Sequence, residues 1–124
     1  MHFDQRIQQA LREAGLDRET IVEASDRVAE LVSEDAARLE AFFEAHDTVY
    51  SDMDLAHSRE EFPEHTVEYC DLFTHGADIR GYLRFDSWGV PVEGGRVLDE
   101  DLVELSLGPT VDSRVRFAAS RDAL

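Results

Sequence analysis

The chain contains no lysine. Its 12 basic residues are all arginine, against 28 aspartates and glutamates, for a formal charge of −16 over 124 residues. Lysine is ordinarily among the commonest residues, so its absence needs a cause. A GC-rich genome accounts for the choice of arginine but not for the excess of carboxylates. A cytoplasm at molar salt accounts for the acids. The Debye length there is about 3 Å, so carboxylates on one surface repel weakly while their hydration keeps the protein dissolved. The composition is that of a halophilic protein. An acidic chain can also be a disordered tail or a nucleic-acid mimic. A hydrophobic content of 43%, a tryptophan and seven phenylalanines argue against disorder, and no motif speaks for mimicry.

Other absences narrow the reading further. The single cysteine, Cys70, cannot form an internal disulfide, and a reducing compartment fits. No positively charged start followed by an apolar run appears at MHFDQRIQQA, and no window approaches the roughly 20 apolar residues of a membrane span. The expectation is a soluble, cytoplasmic protein with no membrane partner. No phosphate loop, no nucleophile set beside a base and no zinc-type spacing occurs, so no cofactor is expected. The length suits one domain, which buries about two thirds of the surface its unfolded chain exposes.

What is there reads as helices first and strands second. Phe3, Ile7, Ala10, Leu11 and Ala14 recur at helical spacing, and Gly15 stops them. Asp17 offers a cap to a second stripe of Ile21, Ser25, Val28, Val32, Leu39, Phe42, Phe43 and His46. It reads as one long helix, about 42 Å if unbroken from Glu19 to His46, or as two helices that bend or break near Ser33. A further helix is expected to carry Val67, Tyr69, Cys70, Leu72 and Phe73. After Gly76 the period becomes two: Ile79, Leu83 and Phe85 lie on one side, and Arg80, Tyr82, Arg84 and Asp86 on the other. VPVEGGRVL reads as a hairpin turning at Gly94-Gly95, with Pro91 confining its strand to an edge or bulge. Val103, Leu105 and Leu107 alternate with Glu104 and Ser106, and Val115 and Phe117 with Arg114 and Arg116. The expected fold is α+β, with N-terminal helices packed on one face of a C-terminal antiparallel sheet of three to four strands. It forms a single domain over 1–124, helical over 1–78, sheet over 79–118, with a tail at 119–124 expected to fray. Charge divides along the same line: residues 1–78 hold 20 acids and 6 arginines, or −14, and residues 79–124 hold 8 acids and 6 arginines, or −2.

The stretch VYSDMDLAHSREEFPEH, residues 49–65, is the densest in chemistry. Asp52, Asp54, His57, Glu61 and His65 mix carboxylate and imidazole as zinc, iron or manganese sites do, with His46 and His75 near enough in sequence to join. A metal-binding protein or metal-dependent hydrolase is the reading this supports. His57, Glu61 and His65 would share one helix face, but Pro63 interrupts the row before His65. The competing reading is two capping boxes, Ser51-x-x-Asp54 and Ser58-x-x-Glu61, with Met53, Leu55 and Phe62 packed inward. It accounts for more of the residues and is preferred. Cys70, among aromatics, reads as an inert core thiol rather than a nucleophile.

Arg80, Tyr82, Arg84, Arg114 and Arg116 are expected to share the outward sheet face, a surface suited to an anion or a nucleic-acid backbone. Molar salt weakens affinity built on phosphate contacts. The alternative is that these arginines pair with Asp86 and Glu104, or meet an acidic face of another copy. Self-association through this face or the Pro91 edge is the favoured expectation.

VYSDMDLAHS and the run DLFTHGADIRGYLRFDSWGVPVEGGRVLDEDLVELSLGPTVDSRVRFA resemble a family of small uncharacterised proteins of halophilic archaea, over most of the chain. The resemblance implies a salt-adapted cytoplasm and carries no activity, cofactor or catalytic residue. The reading as a whole is a non-catalytic cytosolic domain that works through protein contacts, as a homodimer or with another protein.

Overall fold

The computed structural model describes residues 2–53, 62–108 and 113–124. Helix α1, Gln5–Glu13, starts where the Asp4 carboxylate accepts the Ile7 N–H at 2.9 Å, and Gly15, at φ 95°, turns the chain away. It buries no residue. Helix α2, Arg18–Ala45, starts where Asp17 accepts the Thr20 N–H at 2.8 Å. It runs unbroken for 28 residues, so of the two readings the single long helix holds. No proline or glycine interrupts it, and its two halves are buried against different neighbours. Ile21 and Ser25 are buried where the chain start crosses, with the His2 N–H donating to Ser25 Oγ. Ala36, Leu39, Phe42 and Phe43 join the core of the sheet.

The expected sheet of three to four strands is overturned. Six strands, β1 (Thr48–Ser51), β2 (Glu64–His75), β3 (Asp78–Phe85), β4 (Gly89–Asp99), β5 (Leu102–Leu107) and β6 (Ser113–Ala118), pair antiparallel in chain order. Pairing of β1 with β6, Tyr50 opposite Ala118 and Ser51 opposite Phe117, closes them into a barrel. Two of the strands therefore lie in the part read as helical. Ser51 belongs to β1 and caps no helix, and the helix expected over Val67 to Phe73 is β2. A bulge explains that error. Between Val67 and Tyr69 the register slips, so His65, Val67, Cys70 and Leu72 all face inward. Steps of two, three and two residues imitate a helical period.

A second bulge, between Val92 and Gly94, accounts for the other misread element. Gly94 and Gly95 do not form a turn; they lie inside β4, and the chain reverses after Asp99. A Cβ on Gly95 would lie 2.7 Å from Leu105 Cδ2 and 2.9 Å from Leu39 Cδ1, so glycine is what lets α2 settle onto the sheet. Pro91 sits where its carbonyl accepts the Gly108 N–H, just past the end of β5, and its missing donor falls where that ladder stops. Pairing with β1 covers β2 only as far as Thr66. Farther along that strand, the Leu72 N–H donates to Glu40 Oε1 of α2 at 2.7 Å, a helix side chain satisfying an otherwise bare strand edge.

The inward alternation expected for β3, β5 and β6 holds. Leu83, Phe85, Val103, Leu105, Leu107, Val115 and Phe117 are at most 2% exposed. Full burial of each such side chain contributes about 1.5–3 kcal/mol. The final residues, expected to fray, form a 3₁₀ turn at Arg121–Ala123 in which the Arg121 guanidinium lies over the Tyr50 ring, 4.5 Å from its centroid. No helix among the described residues is long and apolar enough to cross a membrane.

Candidate functional site

Of the 49–65 cluster, Asp52 and His65 lie among the described residues, and they have different surroundings. Asp52 Oδ1 accepts the Arg116 N–H at 2.8 Å, tying β1 to β6. His65 turns into the barrel, opposite Val49. His46 ends α2 against the Phe42 ring at 5.0 Å, and His75 ends β2. Asp54, His57 and Glu61 lie outside the described residues, as do Leu55 and Ser58. Among the described residues no three His, Cys, Asp or Glu side chains gather as a metal would require.

His65 is the unusual member of the interior. It is 6% exposed, yet it occupies an inward position between apolar neighbours. Strand alternation puts it there with Val49 and Ser51, and the rings around it fix its plane. Phe85 stacks on it at 4.7 Å, while Trp88 and Phe117 meet it edge-on, each at 6.1 Å. Its Nε2 lies 2.7 Å from Ser51 Oγ, itself fully buried. Burial holds the imidazole below its ordinary pKa, opposed by the nearby Asp86 carboxylate. It is therefore neutral at pH 7. Beside it, Glu64, Thr66, Asp86, Ser87 and Trp88 line a hollow of about 410 Å³ between the start of β2 and the β3–β4 turn. Sequence reasoning weighed His65 only in the alternative metal reading, and took Ser51 for a cap. The usable signal was the inward phase shared by Val49 and Ser51, and by His65 and Val67.

Outside the barrel, the five residues expected on one face occupy two flanks. Arg80, Tyr82 and Arg84 face outward on β3, opposite Phe73, Asp71 and Tyr69 of β2. Arg114 and Arg116 face outward on β6, opposite Ser106 and Glu104. Closure separates the two groups, because outward directions diverge around a barrel. On the β6 side, Glu104 lies between Arg96 at 3.0 Å and Arg116 at 3.6 Å, next to a hollow of about 220 Å³ that Arg114 also lines. An anion entering there meets a carboxylate that already holds two of the arginines.

On the β3 side Arg84 pairs with Glu68 at 3.2 Å, and Arg80 donates to the carbonyls of Ile79 and Glu93. What stays open is aromatic: Phe73 is 62% exposed, Tyr69 44% and Tyr82 38%. The Tyr82 ring leans over Gly89, where a Cβ would come within 2.5 Å of it. Next to it Phe73, Arg80, Gly81 and Pro91 line a groove of about 500 Å³. Phe73 and Tyr69 had been assigned to a helix, so their outward direction was not foreseen. Behind this flank Cys70 faces inward, its thiol pushed up to about 12 by burial and then by Glu40, Asp71 and Glu44.

No curated protein and no solved structure matches the chain. The family described as "Family of unknown function (DUF7532)" matches residues 1–122, nearly the whole sequence. The chain, with its helix-covered six-stranded barrel, belongs to that family.

Proposed function

We propose that the protein is a salt-adapted cytosolic domain that works without catalysis, through protein contacts, and that it pairs with a second copy of itself through the outer flank of β2, β3 and β4. The observation that carries this reading is the aromatic row on that flank, with Phe73 62% exposed. Aromatic side chains that stay open on a folded surface are the residue types enriched at protein interfaces. A chain of −16 needs a locally balanced surface to meet its own copy. This flank sets Asp71 and Arg80 in one groove, so a two-fold partner presents an acid where the first copy presents a base. Molar salt, which leaves a Debye length of about 3 Å, removes most of the remaining repulsion between the two acidic chains. Ser51, the hydroxyl held against an imidazole, is 0% exposed and offers no nucleophile to a substrate.

Sedimentation equilibrium in molar KCl tests the contact. The expected result is a dimer that Phe73→Ser converts to a monomer with an unchanged circular dichroism spectrum. A wild-type chain that stays monomeric at millimolar concentration would overturn the reading. Salt adaptation has its own test. Lowering KCl from molar to about 0.05 M unscreens the −14 of residues 1–78 and lowers the melting temperature. A melting temperature that holds would count against it.

A further inference from the structure

The hollow beside His65 has features that packing alone does not require. Ser51 Oγ touches two groups, Nε2 of His65 at 2.7 Å and the N–H of Met53, which donates to it at 3.3 Å. Only the first can accept the hydroxyl proton. The arrangement that leaves no proton without an acceptor therefore has Ser51 donating to Nε2, and His65 carrying its own proton on Nδ1. No hydrogen bond to Nδ1 is formed by any described residue. Yet no buried side-chain nitrogen or oxygen among them is both sealed off and unpartnered. Nδ1 therefore keeps some accessible surface, and the hollow that His65 lines is the space beside the ring. A plain core position would hold a valine or leucine here, as Val49 opposite and Val67 two residues on do. Instead the imidazole is clamped by three rings and a buried serine, with one N–H left over.

The rest of the lining selects a ligand. Among the described residues, Asp86 and Glu64 bring two exposed carboxylates and no cation, and Trp88 brings an indole. We infer that this hollow binds a small organic ammonium compound that also carries an oxygen acceptor. The ammonium group sits by Asp86 and Glu64 against the indole, and the oxygen accepts the Nδ1–H of His65. An anion of the same shape meets two carboxylates instead and is rejected. Ser51 acts as a positioning residue, holding the imidazole in the tautomer that donates into the hollow. This site is independent of the outer flank of β2 to β4, and neither reading needs the other.

Tyramine serves as the probe, with 4-hydroxyphenylacetate as its counterpart of opposite charge, both titrated in molar KCl while the imidazole and indole NMR signals are followed. The expected result is saturable shifts of the His65 and Trp88 signals with tyramine alone. His65→Gln and Asp86→Asn are each expected to weaken tyramine about tenfold, the equivalent of one hydrogen bond or exposed-rim charge contact at ~1.4 kcal/mol. Asp86 is exposed, so its variant keeps the proposal testable if His65→Gln fails to fold. Equal shifts with both compounds, no shift with either, or tyramine binding unchanged in Asp86→Asn would each overturn the site.

Discussion

The two outward flanks of the barrel treat their arginines differently. On the β4 to β6 side, Glu104 is 8% exposed and takes both Arg96 and Arg116, so two of that flank's three arginines are satisfied by its own carboxylate. On the β2 to β4 side, Arg80 bonds to backbone carbonyls and Arg84 to Glu68 at the margin, while three aromatic rings stay in water. A flank that satisfies itself gains little from a partner, because breaking its pairs leaves charge desolvated and unmatched. One that parks its cations on its own backbone and leaves apolar rings open has everything to gain from being covered. Overall charge does not reveal this contrast, since both flanks lie in or beside the nearly neutral half of the sequence.

The comparison rests on one shared core beneath both flanks, and the largest expected effect tests that. Leu39 of α2 is 0% exposed and lies over Gly95 of β4. Leu39→Ala is expected to cost about 2–5 kcal/mol in guanidinium unfolding at molar KCl. A cost below about 1 kcal/mol would mean that the helix does not anchor the sheet. Next comes the self-paired flank. Glu104→Ala strips two half-exposed arginines of their partner and is expected to cost about 1–2 kcal/mol, against less than about 0.5 kcal/mol for Asp71→Ala on the open flank. Equal costs would erase the distinction.

A smaller, pH-dependent effect comes from inside the barrel. Burial lowers the pKa of His65, so as the pH falls past about 6.5 the unfolded chain takes up its proton before the folded chain does. That part of the stability is present above this pH and is lost below it. Unfolding free energies measured from about pH 7.5 down to 5.5 should fall in the wild type and fall less in His65→Gln, if that variant folds. Parallel slopes would mean that the histidine is not held neutral. The smallest expected effect is none at all. With its thiol pushed up to about 12 behind the open flank, Cys70 should resist iodoacetamide at pH 8 until the protein is unfolded, and rapid alkylation of the native chain would show that this flank is not backed by a closed core.

Much of the fold was legible where periodicity was clean. Gly15, Asp17, the α2 stripe and the inward residues of β3, β5 and β6 all followed from spacing. The errors cluster at two of the bulges. At Val67–Tyr69 an inserted residue made a strand look helical, and at Val92–Gly94 a glycine pair that receives a helix looked like a turn. Closure was not legible either, because it rests on the short pairing of β1 with β6 between residues more than sixty positions apart. The candidate site suffered for the same reason. His65 and Ser51 were each noticed, but a seventeen-residue window suggested metal ligands and caps, whereas the actual relation is a diagonal contact between neighbouring strands. Phe73 was noticed as apolar, and only the bulge decides that it faces out.

That bulge has a consequence in the currency of genes. Val67 stands opposite Phe85 and Tyr69 opposite Arg84, so Glu68 is the surplus residue. Losing its codon would restore strict alternation and leave every later residue where it is, Tyr69, Asp71 and Phe73 outside and Cys70 and Leu72 inside; keeping the codon without the bulge would exchange the two sets. The bulge absorbs one residue so that the open flank and the layer behind it keep their contents. Relatives with and without the extra codon should therefore differ at that one site and share the inward and outward pattern on both sides of it.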